Sequence, residues 1–196
     1  DALLKAMLKI FFRQVSQEVY FFSPTMLVAL PSNIYPAMRQ VLVEVLTELG
    51  ASEVIVVDQT LAAAIGAGVP VADASGTFVL QLGASVAEAT SFSMSKIVKT
   101  YASTKAGNDL RQEIVYWFKE NQQLNISHEL AQKIQHKVLS LDTDSERRLE
   151  VSGINTTSGS LQDLTISSPE LQDLTFYYGD LYVALVKKLL ANVPPS

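Results

Sequence analysis

Apolar residues recur every three or four positions over the first fifteen residues, a pattern typical of an amphipathic helix. Lys5, Lys9 and Arg13 lie beside this stripe. A basic amphipathic helix can lie on an anionic membrane or cover a sheet. The apolar run that follows favours the second interpretation, because a buried strand needs a cover. The stripe consists of Leu3, Leu4, Met7, Leu8, Phe11, Phe12 and Val15.

Two short apolar runs, at 25–30 and 54–57, flank a second helical pattern and predict a βαβ unit with a parallel sheet. We expect the intervening helix to be capped by Ser32 or Asn33 and to stop at Gly50. Its inward residues are predicted to be Met38, Val41, Leu42, Val45, Leu46 and Leu49.

The second strand of this unit ends at a candidate site. Open α/β sheets bind ligands beyond the carboxyl ends of their strands, and Asp58 and Gln59 stand there. An alanine-rich helix over 61–67 follows, in which Gly66 and Gly68 are expected to allow close approach of neighbouring backbone.

Beyond a predicted domain boundary at 69–76, alternating apolar residues indicate a β-meander whose first turn is Gly83-Ala84-Ser85. Helical patterns follow, then a two-stranded ribbon, then a helix that begins at Ser168-Pro169-Glu170 with Ser168 as its cap. We expect that helix to run towards Asn192 with a break near Gly179, and Pro194 and Pro195 to prevent its extension. The remaining predicted spans are strands over 77–82, 86–92 and 97–103, helices over 108–118 and 127–139, and ribbon strands over 148–154 and 161–166.

Composition narrows the class of protein. With 48% hydrophobic and 18% charged residues, the 196-residue chain is predicted to fold into one or two compact domains. A net charge of −5 disfavours a nucleic-acid partner, which requires clustered Lys and Arg. The chain has no cysteine, which excludes disulfides and thiolate sites and suits a reducing cytosol. No apolar run approaches the roughly 20 residues of a spanning helix, so we expect a soluble or peripheral protein.

Several segments together resemble the bacterial actin-like family of rod-shape proteins, MreB and MreB-like proteins. The most specific is the alanine-rich run 62–68, and weaker ones are Gly83, Glu88 and the segment Ala106-Gly107-Asn108. The resemblance covers 25–134 almost without gaps and extends through the Ser168 helix. It implies an α/β, actin-like (ribonuclease H-like) segment: half of one domain plus most of a second domain with a small α+β insert.

The resemblance also implies domain limits. Residues 1–70 correspond to the βαβ half of the first domain, and the second domain comprises a hairpin-led core, a helical and ribbon insert, and a returning helix, at 71–106, 107–174 and 175–196. The family's first phosphate loop would precede residue 1 and its adenosine loop would follow residue 196. The chain therefore resembles an internal fragment, whose open sheet edge would favour dimerisation.

By the same resemblance Gln59 takes the place of the residue that positions the attacking water. The family's second phosphate loop reads D-I-G-G-G-T-T-E, so its metal-linked Asp corresponds to Gln81, which has no charge to hold a Mg²⁺ shell. Ala84 and Ser85 replace glycines, and Val86 and Ala87 replace threonines, which leaves Gly83 and Glu88. We expect the Cβ of Ala84 to conflict with a positive φ in a tight turn.

Further along the chain, Asn108 replaces the acid of the family's Gly-Asp pair, and the ribose-contacting Lys and Glu correspond to Gln135 and Lys137. Lys137 is expected on a solvated helix face. No metal site is predicted. The candidate nucleotide contacts are Gly83, Ala84, Ser85, Glu88, Gly107, Asn108 and Gln135.

These residues imply a filament-forming cell-shape protein whose ATP site is degenerate and hydrolyses weakly or not at all. The alternative is a non-polymerising pseudo-ATPase adaptor that binds protein or membrane partners. A kinase of the same superfamily is disfavoured by Gln81. ATP with Mg²⁺ is expected only in an intact protein and no cofactor in this chain alone. The expected partners are other copies of the chain and membrane or cell-shape proteins, and the expected location is the cytoplasm, with membrane association left open.

Overall fold

A computed structural model describes residues 2–15 and 23–193 of the chain. Within it, the chain divides into two compact units, Asp1–Val71 and Ala72–Ser196. In the described part, no helix combines the length and apolar character required to span a bilayer. The finer division of the second unit that the resemblance implies stays a prediction.

The first unit contains the predicted βαβ element. Strands β1 (Thr25–Leu30) and β2 (Glu53–Asp58) pair in parallel, from Thr25 opposite Glu53 to Leu30 opposite Asp58. Two apolar strands in parallel require a crossover, which helix α2 (Pro36–Glu48) supplies. Helices α1 (Ala2–Val15) and α3 (Gln59–Gly66) complete the unit. The predicted strand–helix–strand order is therefore confirmed.

Helix α2 begins later than predicted. Its N-cap is Tyr35, without a side-chain hydrogen bond, and Pro36 occupies the first helical position. The cap prediction of Ser32 or Asn33 was wrong because the fixed φ of a proline makes it a favourable helix start. Met38 was also wrongly predicted to be inward, since it is 51% exposed while Leu42, Val45 and Leu46 are buried.

Helix α1 lies against the C-terminal end of α2. Lys5 forms an ion pair with Glu48, and the Phe12 ring lies 3.8 Å from the position of a Cβ at Gly50. Gly50 has φ of +109° and ends the helix as predicted. The opposite side of α1 presents exposed apolar side chains at Leu3, Met7, Ile10 and Phe11.

The second unit opens with the predicted β-meander. Strands β3 (Thr77–Leu82), β4 (Ala87–Ser93) and β5 (Lys96–Ser103) form an antiparallel sheet in that order. Residues 83–86 join the first pair, and only Met94 and Ser95 join the second. Met94 and Ser95 have φ of 49° and 62°, so this two-residue turn uses left-handed backbone without a glycine.

Two helices and a small sheet form the next part of the unit. Helices α4 (Gly107–Gln122) and α5 (His128–Lys137) confirm the predicted helical patterns. The ribbon of β7 (Arg148–Asn155) and β8 (Leu161–Ser167) gains a third strand that we did not predict, β6 (Leu124–Asn125). A strand of two residues is too short to show alternation in a sequence.

The apolar core of this unit lies between α4, α5, the ribbon and the last helix. Its fully buried members come from each of these elements, so the core fixes the helices against the sheet. They include Ile114, Phe118, Leu124, Ile134, Val138, Ile166 and Leu171.

The last helix starts with a 3-10 turn, Ser168–Leu171, and continues as α6 (Gln172–Leu190). The cap is Ser167, which forms a capping box with Glu170. We wrongly assigned the cap to Ser168, whose buried hydroxyl instead donates to the Val138 carbonyl at 2.8 Å and accepts from the Arg147 amide at 2.9 Å.

The predicted break near Gly179 is absent, because α6 runs through that position without interruption. A Cβ at Gly179 would lie 3.2 Å from Cδ2 of Leu141, so the glycine serves close packing. The terminal prolines, Pro194 and Pro195, lie outside the described residues.

The close approach expected at Gly66 and Gly68 is not found. A Cβ at either position would meet no described atom within 4 Å, and Gly68 instead supplies a φ of +70°. Gly153 is the contrasting case, since a Cβ there would lie 2.7 Å from both the Asn125 carbonyl oxygen and Leu124 Cγ.

We therefore predict that Gly153→Ala lowers the free energy of unfolding by about 1–3 kcal/mol, because the added methyl displaces β6. Urea denaturation followed by circular dichroism measures this change. Gly66→Ala is the matched control and is expected to be neutral or stabilising by up to about 1 kcal/mol. Equal effects of the two substitutions would contradict the packing argument.

Candidate functional site

The loop at residues 83–86 is held in a tight turn by its own backbone. The Gly83 amide donates to the Val86 carbonyl at 3.0 Å. A Cβ at Gly83 would lie 2.7 Å from that same oxygen, so only glycine fits. Positive φ at non-glycine residues is found, in the described chain, only at Met94, Ser95 and Gln123. Ala84 therefore does not adopt a positive φ, which agrees with the expected conflict between its Cβ and that conformation.

The first turn of α4 lies against this loop. The Gly107 amide donates to the Gly83 carbonyl at 3.0 Å, and the Asn108 amide donates to the Ala84 carbonyl at 2.6 Å. The Asn108 side-chain amide also donates to Ser85 Oγ at 3.3 Å. These bonds satisfy two amides that the start of a helix otherwise leaves unpaired.

Gln135 of α5 approaches the same place from a third element. Its Nε2 donates to the Gly107 carbonyl at 3.3 Å, whereas its buried Oε1 has no hydrogen-bond partner among the described residues. A Cβ at Gly107 would lie 3.5 Å from Gln135 Nε2 and 3.2 Å from the Gly83 carbonyl oxygen. The structure thus brings together six of the predicted residues, although their role as ligand contacts stays a prediction. They are Gly83, Ala84, Ser85, Gly107, Asn108 and Gln135.

Glu88 and Gln81 face each other across β3 and β4, where they are register partners. Glu88 is fully buried. The buried Oε1 of Gln81 has no hydrogen-bond partner in the described part of the chain. Two opposed side chains on the same sheet face are direct neighbours, so this point holds one carboxyl group beside one neutral amide.

Gln59 lies in the first unit, at the first position of α3. Asp58 caps this helix by accepting hydrogen bonds from the amides of Thr60 and Leu61 at 2.8 and 3.1 Å. The cap fixes where Gln59 stands relative to the end of β2. We did not predict from the sequence that Asp58 caps this helix, although an Asp immediately before a helical pattern is a usual signal of an N-cap.

The site residues fit a phosphate group better than they fit a magnesium ion. Within residues 2–15 and 23–193, no three or more His, Asp or Glu side chains are grouped to hold a metal. Magnesium is generally bound through carboxylates, and Gln81 supplies only a neutral amide. Ala84 and Ser85 are exposed residues whose amides form no hydrogen bond with described residues, and such amides suit an anion.

Asp109, the residue after Asn108, links α4 to α6. Its Oδ2 accepts a hydrogen bond from the Tyr178 hydroxyl, and Lys105 Nζ lies 3.1 Å from Oδ1 and 3.0 Å from Oδ2. The hydrogen bond from Tyr178 and then that from Lys105 hold the pKa of Asp109 below its ordinary value, although burial opposes them. Burial and the Asp109 carboxylate raise the pKa of Tyr178 above its ordinary value.

Sequence reasoning did not identify the Asp109–Tyr178 pair. The two residues are 69 positions apart, and an acid in the first turn of a helix ordinarily indicates only a favourable interaction with the helix dipole. A buried tyrosine hydroxyl requires a partner, but nothing in the local pattern indicates which residue provides it.

The family model for the MreB/Mbl protein matches residues 2–196. The chain is 27% identical over 193 residues to the cell shape-determining protein Mbl of Bacillus subtilis, covering 98% of this chain and 58% of that protein. It is 30% identical over 192 residues to the cell shape-determining protein MreB of Escherichia coli, covering 97% and 55%.

Solved structures agree with the sequence matches. MreB5 of Spiroplasma citri bound to ADP superposes with a TM-score of 0.88 at 25% identity, over 97% of this chain and 57% of that one. The same protein bound to AMPPNP superposes with a TM-score of 0.89 at 22% identity, over 97% and 59%. The actin-like α/β fold expected from the sequence is confirmed. The chain spans between 55% and 59% of the length of these proteins.

The opposed Gln81 and Glu88 generate a first prediction for the site. Gln81→Asp places a second carboxylate opposite the first, and in EDTA we expect repulsion to lower the free energy of unfolding by about 1 kcal/mol. Magnesium is expected to restore the free energy of unfolding of the variant and to leave that of the unsubstituted chain unchanged. Urea denaturation with EDTA or magnesium chloride measures both.

Gln162→Asp is the control for Gln81→Asp, because Gln162 also lies in a strand but faces Gly153. Its stability is expected to be independent of magnesium. The interpretation fails if magnesium stabilises the unsubstituted chain as much as it stabilises the Gln81→Asp variant.

A pH prediction follows from Asp109. Because its pKa is lowered in the folded chain, its contribution to stability is present above the unfolded value of about 3.9 and is lost as pH falls through the folded value. The stability difference between the unsubstituted chain and Asp109→Asn should therefore shrink as pH falls below about 5.

Urea denaturation at several pH values tests this dependence. Asp180→Asn is the matched control, because Asp180 is an exposed residue of the same helix as Tyr178. A stability difference that stays constant with pH for Asp109→Asn would show that the carboxylate charge contributes nothing.

Proposed function

The chain belongs to the MreB/Mbl family, and from that premise we propose that its protein is a bacterial actin-like, filament-forming cell-shape protein that hydrolyses ATP weakly or not at all. The relatives described above are cell shape-determining proteins, which supports the first half of this proposal. A cytoplasmic location belongs to the same proposal. The second half rests on the residues of the site.

One observation carries the proposed loss of hydrolysis. Gln81 stands where the family's pattern places the metal-linked aspartate, and its register partner Glu88 is the one carboxylate of the pair. A neutral amide does not neutralise or orient a hydrated magnesium ion as a carboxylate does. Val86 and Ala87 also lack the hydroxyl groups that the family's pattern places beside the phosphates. The side chains at this loop therefore favour weak turnover or none.

The same loop supports retention of nucleotide binding. Ala84 and Ser85 are exposed residues, and the loop that carries them is anchored to α4 by the Gly83 and Ala84 carbonyls. Preorganised backbone amides bind phosphate oxygens without a metal. ADP and AMPPNP are bound by the Spiroplasma citri protein of the same fold. We propose that the phosphates of ATP contact this loop, and that Gln59 keeps the water-positioning role.

Exposed apolar side chains support self-association. Leu27 of β1 is 68% exposed and Leu3 of α1 is 75% exposed. Apolar surface of this kind favours contact with another protein surface. The outer strands β3 and β5 also carry exposed apolar residues, among them Phe78 and Ile97. Edge strands with such residues are the parts of a sheet that pair with other chains.

A pseudo-ATPase adaptor is the second candidate, and the same neutral Gln81 supports it. An adaptor would use the exposed apolar surfaces for a different protein or for a membrane and would not polymerise. Polymer formation separates the two candidates, because both predict little hydrolysis.

We predict that the protein in its native length sediments as polymer and releases phosphate from ATP at or near the background rate. Because the polymer would depend on nucleotide binding without turnover, AMPPNP should support as much sedimentation as ATP. Pelleting assays and phosphate release, with and without magnesium, measure the two quantities on the same sample.

Rapid magnesium-dependent phosphate release would contradict the proposed loss of hydrolysis. Protein that remains monomeric with every nucleotide, but binds membrane vesicles or a protein partner, would replace the filament proposal with the adaptor. Transfer of phosphate to a small molecule would instead indicate a kinase.

A further inference from the structure

The first turn of α4 is held by side chains and backbone from three other parts of the second unit. The loop 83–86 accepts hydrogen bonds from the amides of Gly107 and Asn108. Gln135 of α5 donates to the Gly107 carbonyl. Tyr178 of α6 donates to the Asp109 carboxylate. Three successive residues of one helical turn therefore each have a separate external anchor.

The anchor on α6, the Tyr178 hydroxyl, is buried and therefore needs a hydrogen-bond partner inside the protein. Tyr178 is 2% exposed, and its ring meets the rings of Tyr177 and Tyr182 with centroid distances of 5.5 and 6.2 Å. A hydroxyl at this depth must be paired within the protein, because an unpaired buried polar group is costly. A carboxylate acceptor makes the bond stronger than one between neutral groups.

The loop side of the turn leaves little room for adjustment. A Cβ at Gly107 would lie 3.2 Å from the Gly83 carbonyl oxygen and 3.5 Å from Ala84 Cα, so the backbones are already in close contact. The Asn108 amide lies 2.6 Å from the Ala84 carbonyl oxygen. A shift of the first turn towards or away from the loop would compress or break these bonds.

We infer that Asp109 is a positioning residue that, through its hydrogen bond with Tyr178, holds the Gly107 and Asn108 amides against the loop 83–86. Through this bond and the first turn of α4, helix α6 contributes to the position of the loop 83–86. Lys105 screens the outer side of the carboxylate and contributes less, because its side chain is 46% exposed. The inference deepens the proposed function, since the loop is the proposed phosphate contact.

Amide hydrogen exchange, followed by NMR on the labelled chain without nucleotide, tests the inference. Tyr178→Phe removes only the hydroxyl. We expect it to raise the exchange rates of the Gly107 and Asn108 amides about tenfold or more, since a hydrogen bond to a charged group contributes at least that factor. The amides of Ile114 and Phe118, deeper in the same helix, should change less than about twofold beyond the shift in global stability.

Tyr182→Phe is the matched control. Tyr182 lies one helical turn further along α6 and packs beside Tyr178, but no described hydrogen bond involves its hydroxyl. Its loss should leave the Gly107 and Asn108 rates unchanged relative to those of Ile114 and Phe118. Asp109→Asn should act in the same direction as Tyr178→Phe, because the amide is a weaker acceptor than the carboxylate.

A merely structural role would raise the exchange of all four amides by the same factor, and that result would overturn the inference. An equal effect of Tyr178→Phe and Tyr182→Phe would also overturn it. The measurement uses neither nucleotide nor polymer. Failure of the proposed function in sedimentation or phosphate release is therefore distinguishable from failure of the positioning role.

Discussion

Two backbone hydrogen bonds, from Gly107 to Gly83 and from Asn108 to Ala84, connect the loop between β3 and β4 to the first turn of α4. The first of them joins two glycines. A side chain at Gly83 would meet the Val86 carbonyl, and one at Gly107 would meet the Gly83 carbonyl. A contact between bare backbones is insensitive to the side chains around it. Ala84 and Ser85 are accommodated in this loop without positive φ.

The apolar core keeps these polar contacts in place. Ile114 and Phe118 are fully buried on the inner face of α4, and Ile134 is fully buried on α5. Close packing of this kind restricts how far the helices can shift. The core therefore fixes the start of α4 and the position of Gln135 without a ligand. The positions of the residues proposed to contact phosphate thus depend on core side chains that have no proposed contact with phosphate themselves.

Much of the fold could be predicted because its elements have strong periods. The βαβ unit, the meander and helices α4 and α5 all show apolar residues at the spacing of their structure. Failures occurred where one residue had two possible roles. Pro36 rather than Ser32 started α2, Ser168 used its hydroxyl for tertiary contacts, and Gly179 served packing against Leu141 instead of a helix break.

The site was predictable to the extent that its residues lie in recognisable local motifs. Family resemblance placed Gly83, Gly107 and Gln135 correctly in one region, although nothing local in the sequence indicates that Gln135 contacts the Gly107 carbonyl. The Asp109–Tyr178 bond joins residues 69 positions apart, and only the folded chain shows it. Long-range pairing of polar groups has no periodic signal, so sequence patterns identify the elements of such a site better than the bonds between them.

The turn at Met94 and Ser95 bears on how the second unit folds. Both residues have positive φ without being glycine, a conformation that costs about 1 kcal/mol or more at each position. A turn with this penalty does not bring its own strands together early. Because the paired strands compensate this cost, we expect the hairpin to close from its strands towards its tip, with the turn as the last part to form.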